Sequence, residues 1–246
     1  SGMTGTAREV RRELWSAYGL AVVPVATHRP CLRRLAGERV HADGDGRWAA
    51  VVRRVADLHA QGRPVLVGTR SVADSELLSR LLRTAGIAHQ VLNARQDGDE
   101  AAVIAAAGAR GAVTVATNMA GRGTDIVLAP GVAELGGLHV LVTQRNDARR
   151  IDRQLFGRCA RQGDPGSVEL LLAVDDDLLD PYRDSSARRT LARLVERGFP
   201  GTQPLARLVL RLAQRGRERR HRAMRRDLLS QEARLGQLLA FSGRLE

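Results

Sequence analysis

The sequence contains no lysine and few aromatic residues, and both shortages restrict what it can bind. All 39 basic residues are arginine, and aromatic residues make up 3% of the 246. Together with abundant Ala, Gly and Leu, this arginine usage indicates a GC-rich coding bias. The formal charge of +12 suits acidic phosphates or an anionic membrane surface. Proteins that bind single-stranded nucleic acid usually stack its bases on aromatic side chains, so we expect no nucleic-acid partner.

Cysteine is equally scarce, and long apolar runs are missing. Cys31 and Cys159 are far apart in the sequence and form no C-x-x-C pair. This pattern suggests neither a disulfide framework nor a zinc site and favours the reducing cytoplasm. The sequence has no run of about 18 apolar residues, so it predicts no membrane-spanning helix. It also has no signal-peptide pattern. If the protein works at a membrane, we expect it to work from the surface.

Short apolar segments alternate with amphipathic ones as far as residue 177. Nearly continuous apolar strands joined by helices are typical of a parallel sheet that is covered on both faces. The pattern therefore predicts an α/β domain. The predicted strands cover residues 64–69, 88–94, 112–117, 137–143 and 167–174, and the predicted helices cover 8–17, 46–62, 72–86, 100–107 and 148–161.

The chain changes character after residue 177 and becomes rich in Arg and Leu. An intermittent apolar stripe extends over more than 30 residues there and predicts a long helix. A helix of that length usually forms a spine against other domains rather than part of a compact one. The stripe consists of Leu205, Leu208, Leu212, Met224, Leu228, Leu235 and Leu238.

The stretch "TNMAGRGTDI" (117–126) follows a predicted strand and is the first candidate site. Gly121 and Gly123 allow positive φ and a close approach of the backbone. Arg122 supplies positive charge, and Asp125 can order an arginine or a water molecule. Yet the sequence has no G-x-x-x-x-G-K-[ST] signature. Considered alone, this stretch could equally be a tight turn with no ligand.

The second candidate is "RRIDRQLFGRCARQGDPGS" (149–167). On a helix, Gln154, Arg158 and Arg161 would share one face. The guanidinium groups are permanently charged forks that suit bidentate contact with phosphate. We expect both candidate loops at the carboxyl ends of parallel strands. A solvated basic helix face is the alternative for the two arginines.

These two loops resemble motifs V and VI in the second RecA-like domain of superfamily 2 motor ATPases. More specifically, nearly the whole chain resembles the SecA family of preprotein translocase ATPases. The strings that carry this resemblance are "SGMTGTA", "YGLAVVPVATHRP", "PVLVGTRSVADSELLSRLL", "ATNMAGRGTDIVL", "GGLHVLVTQRNDARRIDRQLFGRCARQGDPGS" and "AQRGRERRHRAMRRDLLSQEARL".

The resemblance implies a fold and a division into domains. The fold would be a RecA-like parallel sheet, of the helicase superfamily 2 C-terminal type, followed by a long-helix extension. Residues 1–19 would end a first nucleotide-binding domain and the linker. Residues 20–177 would form the second nucleotide-binding domain, and residues 178–246 would begin a helical scaffold.

The resemblance also implies roles for individual residues. ATP and magnesium would be bound mainly by a first domain that this chain does not contain, with no metal ligand here. Arg158 and Arg161 would be the catalytic arginine fingers. The chain alone would be inactive, because the phosphate-loop lysine is missing. The expected nucleotide-binding and coupling residues are Thr4, Gly5, Thr6, Gly121, Arg122, Gly123, Asp125 and Gln154.

As partners, the resemblance implies a preprotein, a SecYEG-type channel and the anionic inner face of the cytoplasmic membrane, and it leaves a homodimer open. Three residues depart from the common family pattern R-G-R-S-G-R, namely Phe156, Cys159 and Ala160. The tail has "SQEA" (230–233) where an acidic stretch is usual. Two alternatives therefore stay open: the C-terminal domain of a nucleic-acid helicase, and a degenerate SecA-like module that binds or regulates. We expect Cys159 to fill the core and His139 to be a packed residue.

Overall fold

The computed structural model describes residues 2–92, 100–117 and 123–242. Its strands form one six-stranded sheet in the order β1-β6-β5-β2-β4-β3, and every neighbouring pair is parallel. The predicted parallel α/β sheet is therefore confirmed. The strands are β1 (Leu32–His41), β2 (Val65–Thr69), β3 (Gln90–Leu92), β4 (Val113–Thr117), β5 (Leu138–Val142) and β6 (Pro165–Ala173).

Helices cover both faces of this sheet. One core cluster packs α2 and α3 on one face, and a second packs α4, α5, α6 and the first turns of α7 on the other. Short 3-10 turns cover Ala7–Val10 and Asp177–Tyr182. The helices are α1 (Arg11–Tyr18), α2 (Gly44–Ala60), α3 (Val72–Thr84), α4 (Glu100–Ala106), α5 (Arg149–Phe156), α6 (Ser186–Glu196) and α7 (Thr202–Ser242).

Strand β1 was not predicted, and it lies at one edge of the sheet. It pairs in parallel with β6 from Leu32 opposite Pro165 to His41 opposite Ala173, with a register shift between Leu35 and Gly37. Its first half is exposed. Because only one side of an edge strand is paired and much of this one meets water, its sequence lacks the apolar run that revealed the central strands.

The helix predicted over residues 148–161 is wrong at its C-terminal end. Helix α5 stops at Phe156, and the backbone then turns through two non-glycine residues with positive φ, Ala160 (55°) and Gln162 (53°). Gln154 lies on the helix, whereas Arg158 and Arg161 lie on the loop that follows it. The shared helix face expected for these three residues is therefore not present.

The expected position of this loop was also wrong. Helix α5 leads back from the carboxyl end of β5, and the loop after it runs directly into Pro165, the first residue of β6. Arg161 and the backbone of this loop consequently lie near the amino ends of the strands, whereas the side chain of Arg158 lines a small cavity with Leu92 and Thr117, the last residues of β3 and β4. The reason is geometric, since a crossover helix must return the chain to the start of the next parallel strand.

The predicted long helix is confirmed as α7, which has 41 residues. Its core-facing side is formed by Ala206, Leu210 and Gln214, each at most 1% exposed. The predicted stripe lies on other sides of the helix: Leu205, Leu208, Leu212, Met224 and Leu228 are all 47–61% exposed. Within the described ranges, no helix combines the length and apolarity needed to cross a membrane. The domain boundaries near residues 19 and 177 stay predictions.

Candidate functional site

The loop after α5 contacts the segment that begins at Gly123, and this contact is the centre of the candidate site. Arg161 Nη1 donates a hydrogen bond of 3.0 Å to Asp125 Oδ1, and Gln162 Nε2 donates one of 3.2 Å to Asp125 Oδ2. The backbone N–H of Ile126 also donates to Asp125 Oδ1, at 3.0 Å. The carboxylate of Asp125 therefore joins two loops that are 36 residues apart in the sequence.

The guanidinium group of Arg161 is fixed on two sides and remains accessible. Its Nε donates a hydrogen bond of 2.7 Å to the carbonyl oxygen of Gly157. The side chain is 39% exposed, and that of Asp125 is 37% exposed. Ion pairs at such exposure contribute only about 0–1 kcal/mol. An incoming anion can therefore replace Asp125 at little cost.

Arg158 reaches the same segment. Its Nη1 donates a hydrogen bond of 3.3 Å to the carbonyl oxygen of Thr124. The preceding Gly123 has φ of 96°, which favours glycine, and no atom of the described residues lies within 4 Å of the position that a Cβ would take. The structure thus brings together Gly123, Asp125, Arg158 and Arg161. The predicted Gly121 and Arg122 lie outside the described residues.

Two arginines that the sequence analysis did not single out support the loop. Arg33 Nη1 donates to the carbonyl oxygen of Phe156 at 3.1 Å, and Arg29 Nη1 donates to that of Gln162 at 3.0 Å. Both come from the chain before and within β1, far from the loop in sequence. Their positions depend on the pairing of β1 with β6, so no local sequence signal could have revealed them.

Cys159 packs the loop against the core of the domain. Its side chain is 2% exposed, and its Sγ lies 3.4 Å from the carbonyl oxygen of Phe156 and 3.6 Å from that of Ser167. Burial raises the pKa of this thiol to about 11, so it is neutral at physiological pH. The structure thus confirms that Cys159 fills the core.

The N-terminal segment lies against α5, next to the predicted Gln154. Gln154 Nε2 donates a hydrogen bond of 3.4 Å to Thr6 Oγ1, and Thr6 Oγ1 is 3.2 Å from Thr4 Oγ1. Arg153 Nη2 donates to the carbonyl oxygen of Gly5 at 3.5 Å. The structure therefore brings Thr4, Gly5 and Thr6 to the helix that leads into the arginine loop, rather than to the arginines themselves.

The local chemistry of the site is that of an anion receptor. Two guanidinium groups and the amide of Gln162 supply N–H donors around one exposed carboxylate. Among the residues that the structure describes, no group of three or more His, Cys, Asp or Glu side chains could hold a metal ion.

Comparison with known proteins identifies the family. A family model described as the SecA P-loop domain matches residues 30–132 and 128–197. The chain belongs to the SecA family. The fold is accordingly RecA-like, with a parallel sheet between two layers of helices.

Curated relatives agree with this SecA assignment. The chain is 48% identical over 245 residues to "Protein translocase subunit SecA 2" of Nitrosospira multiformis (strain ATCC 25196 / NCIMB 11849 / C 71), in an alignment that covers 100% of the chain and 37% of the relative. It is 44% identical over 233 residues to "Protein translocase subunit SecA" of Caldicellulosiruptor saccharolyticus (strain ATCC 43494 / DSM 8903 / Tp8T 6331), covering 93% of the chain and 27% of the relative. The chain thus spans about a third of the length of these SecA proteins.

Among solved structures, the SecA chain is similar to the E. coli DEAD-box protein SrmB bound to the regulator of ribonuclease activity A. The sequence identity is 23% and the TM-score is 0.48. The match covers 59% of this chain and 81% of that one.

Proposed function

We propose that this chain is the second nucleotide-binding domain, with the start of the helical scaffold, of a SecA-like ATPase that translocates proteins. In this proposal it supplies the arginine half of an ATP site. The observation that carries the proposal is the convergence of Arg158 and Arg161 on the segment at Thr124 and Asp125. Membership of the SecA family supports it.

Arg161 would be the main catalytic residue. Its guanidinium would exchange the exposed carboxylate of Asp125 for the γ-phosphate of ATP. Arg158, which contacts the carbonyl oxygen of Thr124, would approach the same phosphate. Both groups would stabilise negative charge as it develops on the phosphoryl oxygens. ATP and magnesium, bound mainly by a first nucleotide-binding domain, would supply the phosphoryl group and the metal charge.

Gln154 and the N-terminal threonines would couple the site to the rest of the motor. Gln154 lies on the helix that leads into the arginine loop and contacts Thr6. A movement of the segment at Thr4 to Thr6 would therefore be transmitted through α5 to Arg158 and Arg161. Gly123 would let the backbone approach the nucleotide when the cleft closes.

The same proposal assigns the partners of the whole protein. Cycles of cleft opening and closing would move a preprotein through a SecYEG-type channel, with the protein bound peripherally at the cytoplasmic face of the membrane. The chain has no lysine, so it cannot supply the lysine of a phosphate-binding loop. We therefore expect negligible ATPase activity from the chain alone.

Substituting Arg161→Ala in the full-length protein that contains this chain tests the proposal. Loss of an arginine finger should lower steady-state ATP turnover by about 10³–10⁵-fold. The dissociation constant of a fluorescent ATP analogue should change little, because other residues bind most of the nucleotide. Arg189→Ala, which removes an exposed arginine of α6, is the matched control and should leave turnover unchanged. Normal turnover in Arg161→Ala would reject the assignment of the arginine finger.

A further inference from the structure

A second group of arginines surrounds a cavity at the amino ends of β1, β6 and β2. The cavity has a volume of about 540 Å³ and is lined by Arg33, Arg34, Arg63 and Ser167, with backbone from Gly136 and Gly166. Among the described residues, its lining contains no acidic side chain. It does not include Arg158, Arg161 or Asp125, although Arg33 also supports the loop that carries the two arginines.

These arginines differ from three other arginines of the protein, which form ion pairs with carboxylates. Arg47 pairs with Asp176, and Arg145 pairs with Glu38 at 2.7 Å. Arg54 likewise pairs with Glu169, at 2.7 Å. Throughout the part of the chain that the structure describes, no ion pair involves the three cavity arginines. Within the described residues, no carboxylate therefore pairs with their positive charge.

Arg63 is held in one orientation by three hydrogen bonds. Its Nε donates to the carbonyl oxygen of Gly137 at 2.8 Å, and its Nη2 donates to that of Gly136 and to Ser167 Oγ, both at 2.7 Å. Ser167 Oγ is itself 2.7 Å from Nδ1 of the buried His139. Nη1 makes no hydrogen bond within the described residues, so its two N–H groups remain for a ligand.

The electrostatics of Arg63 favour an anion. Its side chain is half-buried, and burial, followed by the nearby positive charge of Arg54, lowers its pKa. An arginine still keeps its proton, so the cavity holds a charge that is partly removed from water. A desolvated charge of this kind gains more from a partner than an exposed one does.

Arg34 lines the cavity from the edge strand, and its side chain is exposed. It is paired in register with Ser167, so its side chain lies on the same face of the sheet as Arg63. Arg33 points to the opposite face, where its Nη1 donates to the carbonyl oxygen of Phe156 at 3.1 Å, and it adds positive charge near the cavity rather than a donor. One oriented arginine and one more adaptable one suit a compact anion with several oxygen acceptors.

We propose that this cavity binds a phosphate group, with Arg63 as the fixed donor and Arg34 as the donor that closes on the ligand. The phosphate group belongs either to a free phosphate anion or to a lipid headgroup. The inference does not depend on the proposed ATP site, because it uses neither Arg158 nor Arg161.

Calorimetric titration of the 246-residue chain with sodium pyrophosphate tests the proposal. We expect saturable binding that weakens with salt. Arg33→Gln/Arg34→Gln should raise the dissociation constant by at least about tenfold, since each lost hydrogen bond joins two charged groups. Arg80→Gln/Arg189→Gln removes the same charge from exposed helix positions and should bind as the wild type does.

Arg63→Lys tests whether binding needs the planar guanidinium or only a positive charge. Lysine keeps the charge but cannot reproduce the fixed geometry of the three hydrogen bonds that the guanidinium makes. It should weaken pyrophosphate binding while circular dichroism shows the fold retained. Arg161→Ala should retain the pyrophosphate-binding event that Arg33→Gln/Arg34→Gln loses, which distinguishes this cavity from the ATP site.

Vesicle sedimentation distinguishes the two sources of phosphate. If the ligand is a headgroup, binding to phosphatidylglycerol vesicles should fall in Arg33→Gln/Arg34→Gln but not in Arg80→Gln/Arg189→Gln. If the ligand is a free anion, vesicle binding should be equal in both variants while pyrophosphate binding differs. Equal behaviour of the two variants in both assays would overturn the proposal.

Discussion

The side-chain amide of Gln214 on α7 donates a hydrogen bond of 2.7 Å to Oδ2 of Asp152 on α5. The backbone N–H and the side-chain amide of Asn146 each donate to Asp152 Oδ1, at 2.8 Å. Asp152 is 2% exposed and Gln214 is 1% exposed. Burial raises the pKa of Asp152 although these hydrogen bonds oppose the rise. The long helix is thereby fixed to the helix that leads into the arginine loop.

Gln214→Leu should destabilise the protein. The substitution keeps a side chain of similar size but removes the donor to Asp152 Oδ2, so a buried carboxylate oxygen loses its partner. Leaving one buried polar group unsatisfied costs about 1–3 kcal/mol. We expect a fall of that size in the free energy of unfolding, measured by urea denaturation.

Gln61→Leu is the control for this prediction, because Gln61 is exposed at the end of α2. A surface substitution of this kind usually changes stability by less than about 0.5 kcal/mol. If the two variants lose equal stability, the hydrogen bonds between α5 and α7 do not contribute to folding as argued.

The central strands could be predicted from the sequence, and the edge strand could not. Strands β2 and β5 are buried along their whole lengths, so most of their residues are apolar. Strand β1 carries Arg33, Arg34 and Arg39 and depends on hydrogen bonds to β6. Those partners are more than 120 residues away along the chain, and a pattern within β1 cannot reveal them.

Some residues of the candidate site could be predicted from the sequence, but its geometry could not. The motif around Arg158 and Arg161 indicated phosphate chemistry, and the structure brings both arginines to the segment that contains Asp125. Helical periodicity could not show the turn at Ala160 and Gln162, whose positive φ values cost about 1–3 kcal/mol each. That turn is favoured by tertiary contacts, among them the burial of Cys159.

Gly68→Ala should destabilise the contact between the sheet and α5. A Cβ at this position of β2 would lie 2.3 Å from Cδ2 of Leu155, a distance that forces the helix or the side chain to move. Overpacking of a core in this way typically costs about 1–3 kcal/mol. Thermal unfolding followed by circular dichroism should show a lower midpoint.

Two further variants, Leu155→Ala and Gly216→Ala, test whether the contact with Leu155 causes the destabilisation. Leu155→Ala creates room for the new methyl group, so the double variant should be more stable than the sum of the two single effects predicts. Gly216→Ala in the middle of α7 meets no atom within 4 Å in the part of the chain that the structure describes, and it should stabilise the helix by about 1 kcal/mol. If Gly216→Ala lost as much stability as Gly68→Ala, the destabilisation would come from the alanine itself and not from its contact with Leu155.

The stability that His139 contributes should fall as the pH drops below 6.5. This side chain is fully buried in β5, with Nε2 3.4 Å from Glu169 Oε2. Burial lowers its pKa, the neighbouring Glu169 opposes this, and Arg63 and Arg54 lower it further. Between the folded and unfolded pKa values the unfolded chain binds more protons. The contribution of His139 to the free energy of unfolding must therefore decrease as the pH falls, by at most about 1.4 kcal/mol per pH unit for one histidine.

Urea denaturation at pH 7.5 and pH 5.5 measures this contribution in His139→Gln. The variant should be less stable than the wild type at pH 7.5, because it loses the packing of the imidazole and its hydrogen bond with Ser167. It should nevertheless lose less stability between the two pH values, because glutamine does not titrate. Burial also lowers the pKa of His41 and raises that of Asp176 to about 7, but both residues are unchanged in the variant, so the difference from the wild type isolates His139. His28→Gln, at an exposed position, should keep the wild-type loss, and an equal loss in His139→Gln would show that His139 is not the source.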